Sequence, residues 1–213
     1  MLLFYEGGML LLGPQALRNG ADVWLRQLLS AIGFGQYFLL PLMTCAGLLA
    51  WHHTTRQRWQ FSPRVLHGML LESAVLGFFL LIIAGSFSRS LATAIPCGIP
   101  SQATLNINRL VGYVGAGLYE ELLFRLMLLP SSAYLLRLLG LNRKMSLMIA
   151  AILTSAIFSA AHYELFTSYG DVFQWYTFSF RIMAGLFFSV LFIYRGFGIA
   201  AGVHALYDIF TLF

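Results

Sequence analysis

Long apolar stretches dominate this sequence and restrict the folds that it can adopt. A membrane-spanning helix needs about 20 mostly apolar residues, and six stretches meet or approach that length: 28–51, 65–87, 105–129, 145–162, 172–194 and 197–213. Only 10% of the 213 residues are charged, whereas a soluble domain carries roughly 25%. A soluble chain of this length would still need a polar surface. We therefore predict an all-α protein, a polytopic transmembrane helical bundle of about six spanning helices.

The first residues, MLLFYEGGMLLLGP, differ from the spanning stretches. They lack the basic start and the Ala-x-Ala-like cleavage site of a removable signal peptide. Two breaks, Gly7-Gly8 and Gly13-Pro14, favour an interfacial or re-entrant segment. No internal repeat or linker divides the chain, so we expect one integral membrane domain. Residues 1–104 would supply this segment and two transmembrane helices.

The charged residues indicate a lipid environment rather than a nucleic-acid partner. Twelve of the 13 basic side chains are Arg, and they are scattered among the connectors instead of forming one face. Contact with anionic membrane lipids accounts for this distribution. The two cysteines, Cys45 and Cys97, form no disulfide framework. We expect a multi-pass protein in the plasma membrane of a bacterium.

A few ionisable residues interrupt the apolar stretches. The segment GLYEELLFRLMLLP contains Glu120, Glu121 and Arg125. Each charge costs about 2.5–3.5 kcal/mol at the centre of a spanning helix, so such residues are functional candidates by default. Glu121 and Arg125 are four residues apart with the acid first, which favours an ion pair. Glu120 points about 100° further round the helix and is free to face another partner.

Two later helices carry pairs of candidate residues at the same spacing. Phe158 and His162 share one face of the fourth stretch, and His204 and Asp208 share one face of the sixth. At 1.5 Å per residue, Glu120 and His162 lie about 27 and 26 Å from the connector between their helices, whereas His204 lies only about 12 Å into its own helix. A partly desolvated carboxylate suits general-base catalysis. Two imidazoles and a carboxylate also suit zinc.

In this order, the three pairs resemble the motifs of the CPBP intramembrane proteases (the Abi family). These include type II CAAX prenyl endopeptidases and bacteriocin-processing or immunity proteins. The resemblance covers residues 105–213, which would form the catalytic core, and Asp208 stands where the prenyl endopeptidases have Asn. It implies that Glu120 activates water and that His162 orients or shares that water. His204 and Asp208 would stabilise the oxyanion or bind a metal, and the supporting residues would be Glu121, Arg125 and Phe158.

The resemblance therefore implies an intramembrane endopeptidase. Its substrates would be membrane-associated or lipidated peptides and proteins, prenylated ones included. Two mechanisms stay open, one with zinc held by His162 and His204 and one without a metal. The main alternative is a non-catalytic adaptor or a bacteriocin-immunity-type protein on the same scaffold. A proton-coupled transporter is a third hypothesis, which the absence of two related halves with broken helices disfavours.

Overall fold

The computed structural model describes residues 1–14, 16–35, 37–56, 59–60, 62–92, 107–164 and 170–213. These residues are mostly helical, and the only β-type pairing among them is an isolated bridge between Tyr163 and Asp171. The predicted all-α helical bundle is therefore confirmed. The helices are α1 (Leu2–Leu12), α2 (Gly20–Ala31), α3 (Leu39–Thr54), α4 (Pro63–Ala92), α5 (Ile107–Gly115), α6 (Leu129–Leu138), α7 (Arg143–Ala160), α8 (Trp175–Arg195) and α9 (Phe197–Phe210).

Three stretches of the described helices are long and apolar enough to cross a membrane, by length and composition. They are Pro63–Phe87, Arg143–Ala160 and Trp175–Arg195. These helices make the chain an integral membrane protein. Two shorter apolar helices, α1 and α9, accompany them. The count of six spans and the interfacial position of the N-terminal segment stay predictions. Cys97, the start of the third predicted span and the predicted boundary after residue 104 lie outside the described residues.

The first predicted span, 28–51, is wrong as a single helix. Helix α2 ends at Ala31 and α3 begins at Leu39. Gly33, between them, has a φ of 90°, which lies in the left-handed region that glycine adopts without the steric cost of a Cβ. Hydropathy averaged over the stretch does not register this local turn. The segment therefore folds as two helices.

The third predicted span forms a continuous helical run in which the helix type changes. Between α5 and α6, two segments are π-helical, Ala116–Glu120 and Leu122–Leu128. Pro130 lies in the first turn of α6, where its missing N–H removes one backbone hydrogen bond. π-Helical turns are rare and occur frequently at functional sites. Here they contain Glu120 and Arg125 and flank Glu121.

Small residues bring the C-terminal helices close together. A Cβ on Gly185 of α8 would lie 2.9 Å from Ser155 Cβ of α7, and one on Gly202 of α9 would lie 2.6 Å from Ser73 Oγ of α4. Such close approach is typical of helix packing in membranes. Two hydrogen bonds of 2.5 Å also join Arg195, at the end of α8, to Glu72 of α4. Helix α9 packs against α4, α8 and the first π-helical segment.

The N-terminal half contributes a group of four charged side chains, Glu6, Arg18, Asp22 and Arg26, here called the N-terminal charge cluster. Asp22 is fully buried and accepts hydrogen bonds from Arg18 Nη1 at 2.5 Å and Arg26 Nε at 2.7 Å. Arg26 also contacts Glu6 at 3.1 Å. Burial alone lowers the pKa of Arg18, but the hydrogen bond and charge of Asp22 raise that pKa above its ordinary value.

Two tyrosines attach this cluster to the rest of the bundle. Tyr5 donates to Asp22 at 2.9 Å, and Tyr119 of the π-helical segment donates to Glu6 at 2.5 Å. A Cβ on Gly115 would lie 2.1 Å from the Tyr5 ring, so α1 and α5 are in close contact at this point. Arg18 and Arg26, two of the scattered basic residues of the sequence, are part of a partly buried network that Tyr119 links to the segment containing Glu120.

Candidate active site

The candidate site is centred on Glu120, which is 9% exposed. Its Oε1 accepts a hydrogen bond of 2.8 Å from Asn19 Nδ2. Its Oε2 lies 3.6 Å from His162 Nε2 and 3.9 Å from His204 Nε2. This buried oxygen accepts no hydrogen bond within the described part of the chain. Glu120 therefore has one satisfied oxygen and one oxygen directed toward two imidazoles.

His162 lies just beyond the end of α7, and its ring turns back toward that helix. Its Nδ1 is 2.8 Å from the Phe158 carbonyl oxygen. Because a carbonyl oxygen only accepts hydrogen bonds, Nδ1 carries the proton. In the neutral ring Nε2 is then an acceptor, and it faces Glu120 Oε2. A donor placed between these two acceptors, such as a water molecule, would satisfy both.

Glu121, Arg125 and His204 form a buried triad beside this pair. Glu121 Oε1 accepts from Arg125 Nη1 at 2.9 Å and lies 2.8 Å from His204 Nδ1. Arg125 Nη2 also donates to the Gly185 carbonyl at 3.2 Å. The His204 ring is stacked on Phe188, with centroids 4.6 Å apart and an interplanar angle of 12°. The triad therefore fixes the His204 ring and directs its Nε2 toward Glu120.

The two remaining predicted residues complete the same group. Asp208 Oδ2 lies 3.7 Å from His204 Nε2, and the Asp208 side chain is 21% exposed. Phe158 is buried, with the Arg125 guanidinium 4.3 Å from its ring centroid. The Phe158 ring is also in edge-to-face contact with His162. The structure thus brings together every residue selected from the sequence, from the π-helical run, from the end of α7 with the turn after it, and from α9.

Two cavities meet at this group of residues. The first has a volume of about 740 Å³ and is lined by Glu120, His162, His204 and Asp208, among others. The second has a volume of about 760 Å³, and Glu120 and His162 line it as well. Glu120 and His162 therefore face two spaces large enough for a peptide and its side chains.

Sequence reasoning missed Asn19 and the N-terminal charge cluster. Asn19 is the N-cap of α2, a position at which Asn is strongly preferred, and its Oδ1 accepts from the Ala21 N–H at 2.9 Å. A capping signal was therefore visible in the sequence Asn-Gly-Ala-Asp. Nothing in that signal indicated that the other end of the amide contacts Glu120, which is 101 residues away.

The zinc prediction concerns His162 and His204. Across the described ranges, no group of three or more His, Cys, Asp or Glu side chains is arranged to hold a metal ion. The Nδ1 atoms of both histidines already contact protein oxygens, and their Nε2 atoms converge on Glu120 rather than forming a complete ligand set. Zinc at His162 and His204 stays a prediction of the sequence.

Comparison with known proteins identifies a family for the C-terminal half. Residues 102–210 match the model of the family described as type II CAAX prenyl endopeptidase Rce1-like. The match spans a little over half of the 213 residues and contains all seven predicted site residues. Neither a curated protein nor a solved structure matches the chain. The matching family is the one that the three motifs predicted.

Proposed function

The chain belongs to the Rce1-like family of type II CAAX prenyl endopeptidases, and on this basis we propose that it hydrolyses peptide bonds of membrane-associated or lipidated substrates. The observation that carries the proposal is the position of Glu120 Oε2. This buried oxygen faces two imidazole Nε2 atoms, at 3.6 and 3.9 Å, on the wall of a cavity of about 740 Å³. A carboxylate in that position suits general-base activation of water.

The attacking water lies between Glu120 and His162 in this proposal. Glu120 Oε2 and neutral His162 Nε2 are both acceptors, so one water can donate a hydrogen to each. The water oxygen attacks the carbonyl carbon of the substrate, and Glu120 takes the proton that is released. His162 keeps the lone pair of the water directed at the carbonyl. Holding both reactants in place in this way removes much of the entropic part of the barrier.

His204 supports the next step. Its Nδ1 proton is held by Glu121, and with a proton on Nε2 it would donate to the oxyanion that forms on the substrate carbonyl. Asp208, 3.7 Å from that Nε2, balances the resulting imidazolium charge. The tetrahedral intermediate then breaks the C–N bond, and Glu120 gives its proton to the leaving amine. Glu120 returns to its ionised form, and the products are a carboxylic acid and an amine, between which one proton passes to give a carboxylate and an ammonium group.

The two cavities offer a route for the substrate. An extended peptide placed across Glu120 and His162 would occupy both spaces, because these two residues line each of them. The surrounding bundle lies in the membrane, so a lipid attached to the peptide would remain near acyl chains. These features support a lipidated substrate, and prenylated peptides are the substrates to test first.

Peptide cleavage by purified protein tests the proposal. We expect the wild type, in detergent or liposomes, to cleave prenylated peptides, with the product masses locating the bond. Glu120→Gln keeps the size of the side chain but cannot accept the water proton. We therefore expect it to reduce the rate at least about 10³-fold, the upper part of the range for general-base catalysis. His162→Ala should reduce the rate about 10²-fold.

Glu164→Gln is the matched control, because Glu164 is exposed and lies in the connector after His162. It should cleave at the wild-type rate. Folded wild-type protein that cleaves no peptide would overturn the proposal and favour the non-catalytic adaptor or immunity protein. The steps above use only side chains of this chain, so removal of metal by a chelator should leave the rate within about twofold. Loss of activity that zinc restores would instead support the zinc mechanism.

A further inference from the structure

We propose that Asn19 is a positioning residue for Glu120, supplied by the N-terminal half of the chain. The inference rests on the proposed function, and it extends the site beyond the residues that match the family, which begin at position 102. The juxtaposition that carries it is the hydrogen bond of 2.8 Å between Asn19 Nδ2 and Glu120 Oε1. This bond joins the loop before α2 to the first π-helical segment.

The orientation of the Asn19 amide is determined by its other contacts. Its Oδ1 accepts from the Ala21 N–H at 2.9 Å. Because the oxygen is engaged in capping α2, the NH₂ group must be the end that faces Glu120. An Asn side chain with a fixed oxygen therefore presents a donor to the carboxylate.

The backbone of Asn19 is fixed as well. Its N–H donates to Tyr5 Oη at 3.2 Å, and Tyr5 in turn donates to Asp22 at 2.9 Å. Asp22 belongs to the N-terminal charge cluster and is fully buried. Tyr5 also packs edge-to-face on Tyr119, with centroids 5.4 Å apart, and Tyr119 directly precedes Glu120. Asn19 is thus held by the same network that contacts the Tyr119 side chain, next to Glu120 in the chain.

The chemical consequence concerns the two oxygens of Glu120. A hydrogen bond to a carboxylate is stronger than one between neutral groups, and this one fixes the rotation of the carboxylate by holding Oε1. The other oxygen, Oε2, is then directed at His162 and His204. Without the Asn19 donor, the carboxylate can rotate about its Cγ–Cδ bond, so that no oxygen is held in the direction of the two imidazoles. The water would then lose its fixed position, and misplacement by about 1 Å can cost about 10² in rate.

Asn19→Ser separates this function from helix capping. Serine is as good an N-cap as asparagine, so α2 keeps its cap, but the hydroxyl is too short to reach Glu120. Asn19→Asp also keeps the cap and the shape, and it replaces the donor with an acceptor that repels Glu120. Asn142→Ser is the matched control. Asn142 caps α7 through a hydrogen bond of 3.0 Å to the Met145 N–H and lies on the exposed surface.

The measurements are kcat and KM for the peptide that the wild type cleaves, with thermal unfolding of each variant in the same detergent. We expect Asn19→Ser to lower kcat about 10- to 100-fold and Asn19→Asp to lower it further. KM should stay within about twofold and the melting temperature within a few degrees, because the inference assigns Asn19 an effect on Glu120 and not on substrate binding or folding. Asn142→Ser should match the wild type in all three quantities.

The outcomes distinguish this inference from the proposed function. If Glu120→Gln is inactive but Asn19→Ser and Asn19→Asp cleave at the wild-type rate, Asn19 does not position Glu120 and only this inference fails. An increase in KM at unchanged kcat would likewise overturn it, because Asn19 would then act on substrate binding. If the wild type cleaves nothing, the proposed function fails and the inference fails with it.

Discussion

At the scale of single residues, Glu121 holds the site together because one of its oxygens serves two partners. Arg125 Nη1 and His204 Nδ1 both contact Glu121 Oε1, at 2.9 and 2.8 Å. Glu121 is fully buried and Arg125 is 1% exposed. An isolated charge at this depth is costly, so the pair depends on both members being present. The ion pair and the position of the His204 imidazole are therefore coupled.

Arg125→Met should destabilise the protein and disturb the site together. Methionine fills much of the same space but leaves the Glu121 carboxylate without its cation, and the Gly185 carbonyl loses the Arg125 donor while it keeps the Ser189 hydroxyl. Removing one partner of a buried ion pair costs about 3–5 kcal/mol. We expect a large decrease in the melting temperature, measured in detergent, and loss of most peptide cleavage.

The double variant Glu121→Gln with Arg125→Met is the control for this charge effect. It removes both charges, so it should recover part of the stability lost in Arg125→Met. Cleavage should stay low, because a neutral amide at position 121 no longer attracts the His204 proton. If Arg125→Met alone unfolds at the wild-type temperature, the ion pair does not stabilise the site, and its coupling to the position of His204 is contradicted.

Contacts within the site were predictable from the sequence where they depend on the spacing of two residues along one helix. Glu121 and Arg125 lie four residues apart in one helical segment, so their contact follows from local geometry. His162 and His204 were assigned because ionisable side chains in a membrane must converge on partners. Asn19 could not be found in this way. It is an ordinary capping residue in a connector, and its contact with Glu120 depends on how two distant parts of the chain pack.

At the scale of helices, the first π-helical segment and α9 are in direct backbone contact. A Cβ on Gly117 would lie 2.6 Å from the Ala201 carbonyl oxygen and 2.7 Å from Ala205 Cβ. Ala205 adjoins His204, and Gly117 lies one turn before Glu120 and Glu121. This close approach sets the distance between the carboxylates and the imidazole of His204. Glycine is required here for space and not for an unusual backbone conformation.

Gly117→Ala should therefore move α9 away from the π-helical segment. The contacts of the new methyl group are partly with backbone atoms, which cannot rotate away, and overpacking of this kind costs about 1–3 kcal/mol. We expect a lower melting temperature and at least a tenfold decrease in cleavage. Gly68→Ala in α4 is the control, because a Cβ there meets nothing within 4 Å. If both variants behave as the wild type, the contact does not set the site geometry.

The positions of helices were predicted better than their ends and their side-chain depths. The axial estimate placed His204 shallower than Glu120 and His162, yet its Nε2 lies 3.9 Å from Glu120. His162 lies beyond the end of α7, and its ring turns back so that Nδ1 reaches the Phe158 carbonyl at 2.8 Å. A count of residues along a helix axis omits this reversal. Hydropathy likewise missed the turn at Gly33, because a turn can be as apolar as a helix.

At the scale of the whole molecule, the N-terminal charge cluster joins the two halves of the chain. It contains two carboxylates and two guanidiniums, so its formal charge is balanced when all four groups are ionised. Tyr119, in the segment that contains Glu120, donates a hydrogen bond of 2.5 Å to Glu6. Tyr5 links Asp22 to the Asn19 backbone. The described residues from Tyr5 to Arg26 are therefore part of the structure around the site, although the three motifs lie in the C-terminal half.

Asp22→Asn should weaken this junction. Asp22 accepts hydrogen bonds from Arg18, Arg26 and Tyr5 at 2.5, 2.7 and 2.9 Å. In the Asp22→Asn variant the negative charge between the two guanidinium groups is lost. One of the two acceptor oxygens is also replaced by an NH₂ group, which cannot accept a hydrogen bond. Breaking a buried charge pair costs about 3–5 kcal/mol, so the melting temperature should fall strongly. Cleavage measured below that temperature should also fall, because Tyr5 and the Asn19 backbone lose their anchor.

Asp171→Asn is the matched control for this prediction. Asp171 also pairs with an arginine, at 2.5 Å from Arg181, but its side chain is 61% exposed, and exposed pairs contribute about 0–1 kcal/mol. Its melting temperature should stay near the wild-type value. The double variant Asp22→Asn with Arg26→Gln leaves one carboxylate, Glu6, and one guanidinium, Arg18. Its charges balance again, so its melting temperature should lie above that of Asp22→Asn alone. If Asp22→Asn unfolds at the same temperature as Asp171→Asn, the N-terminal charge cluster does not hold the two halves together.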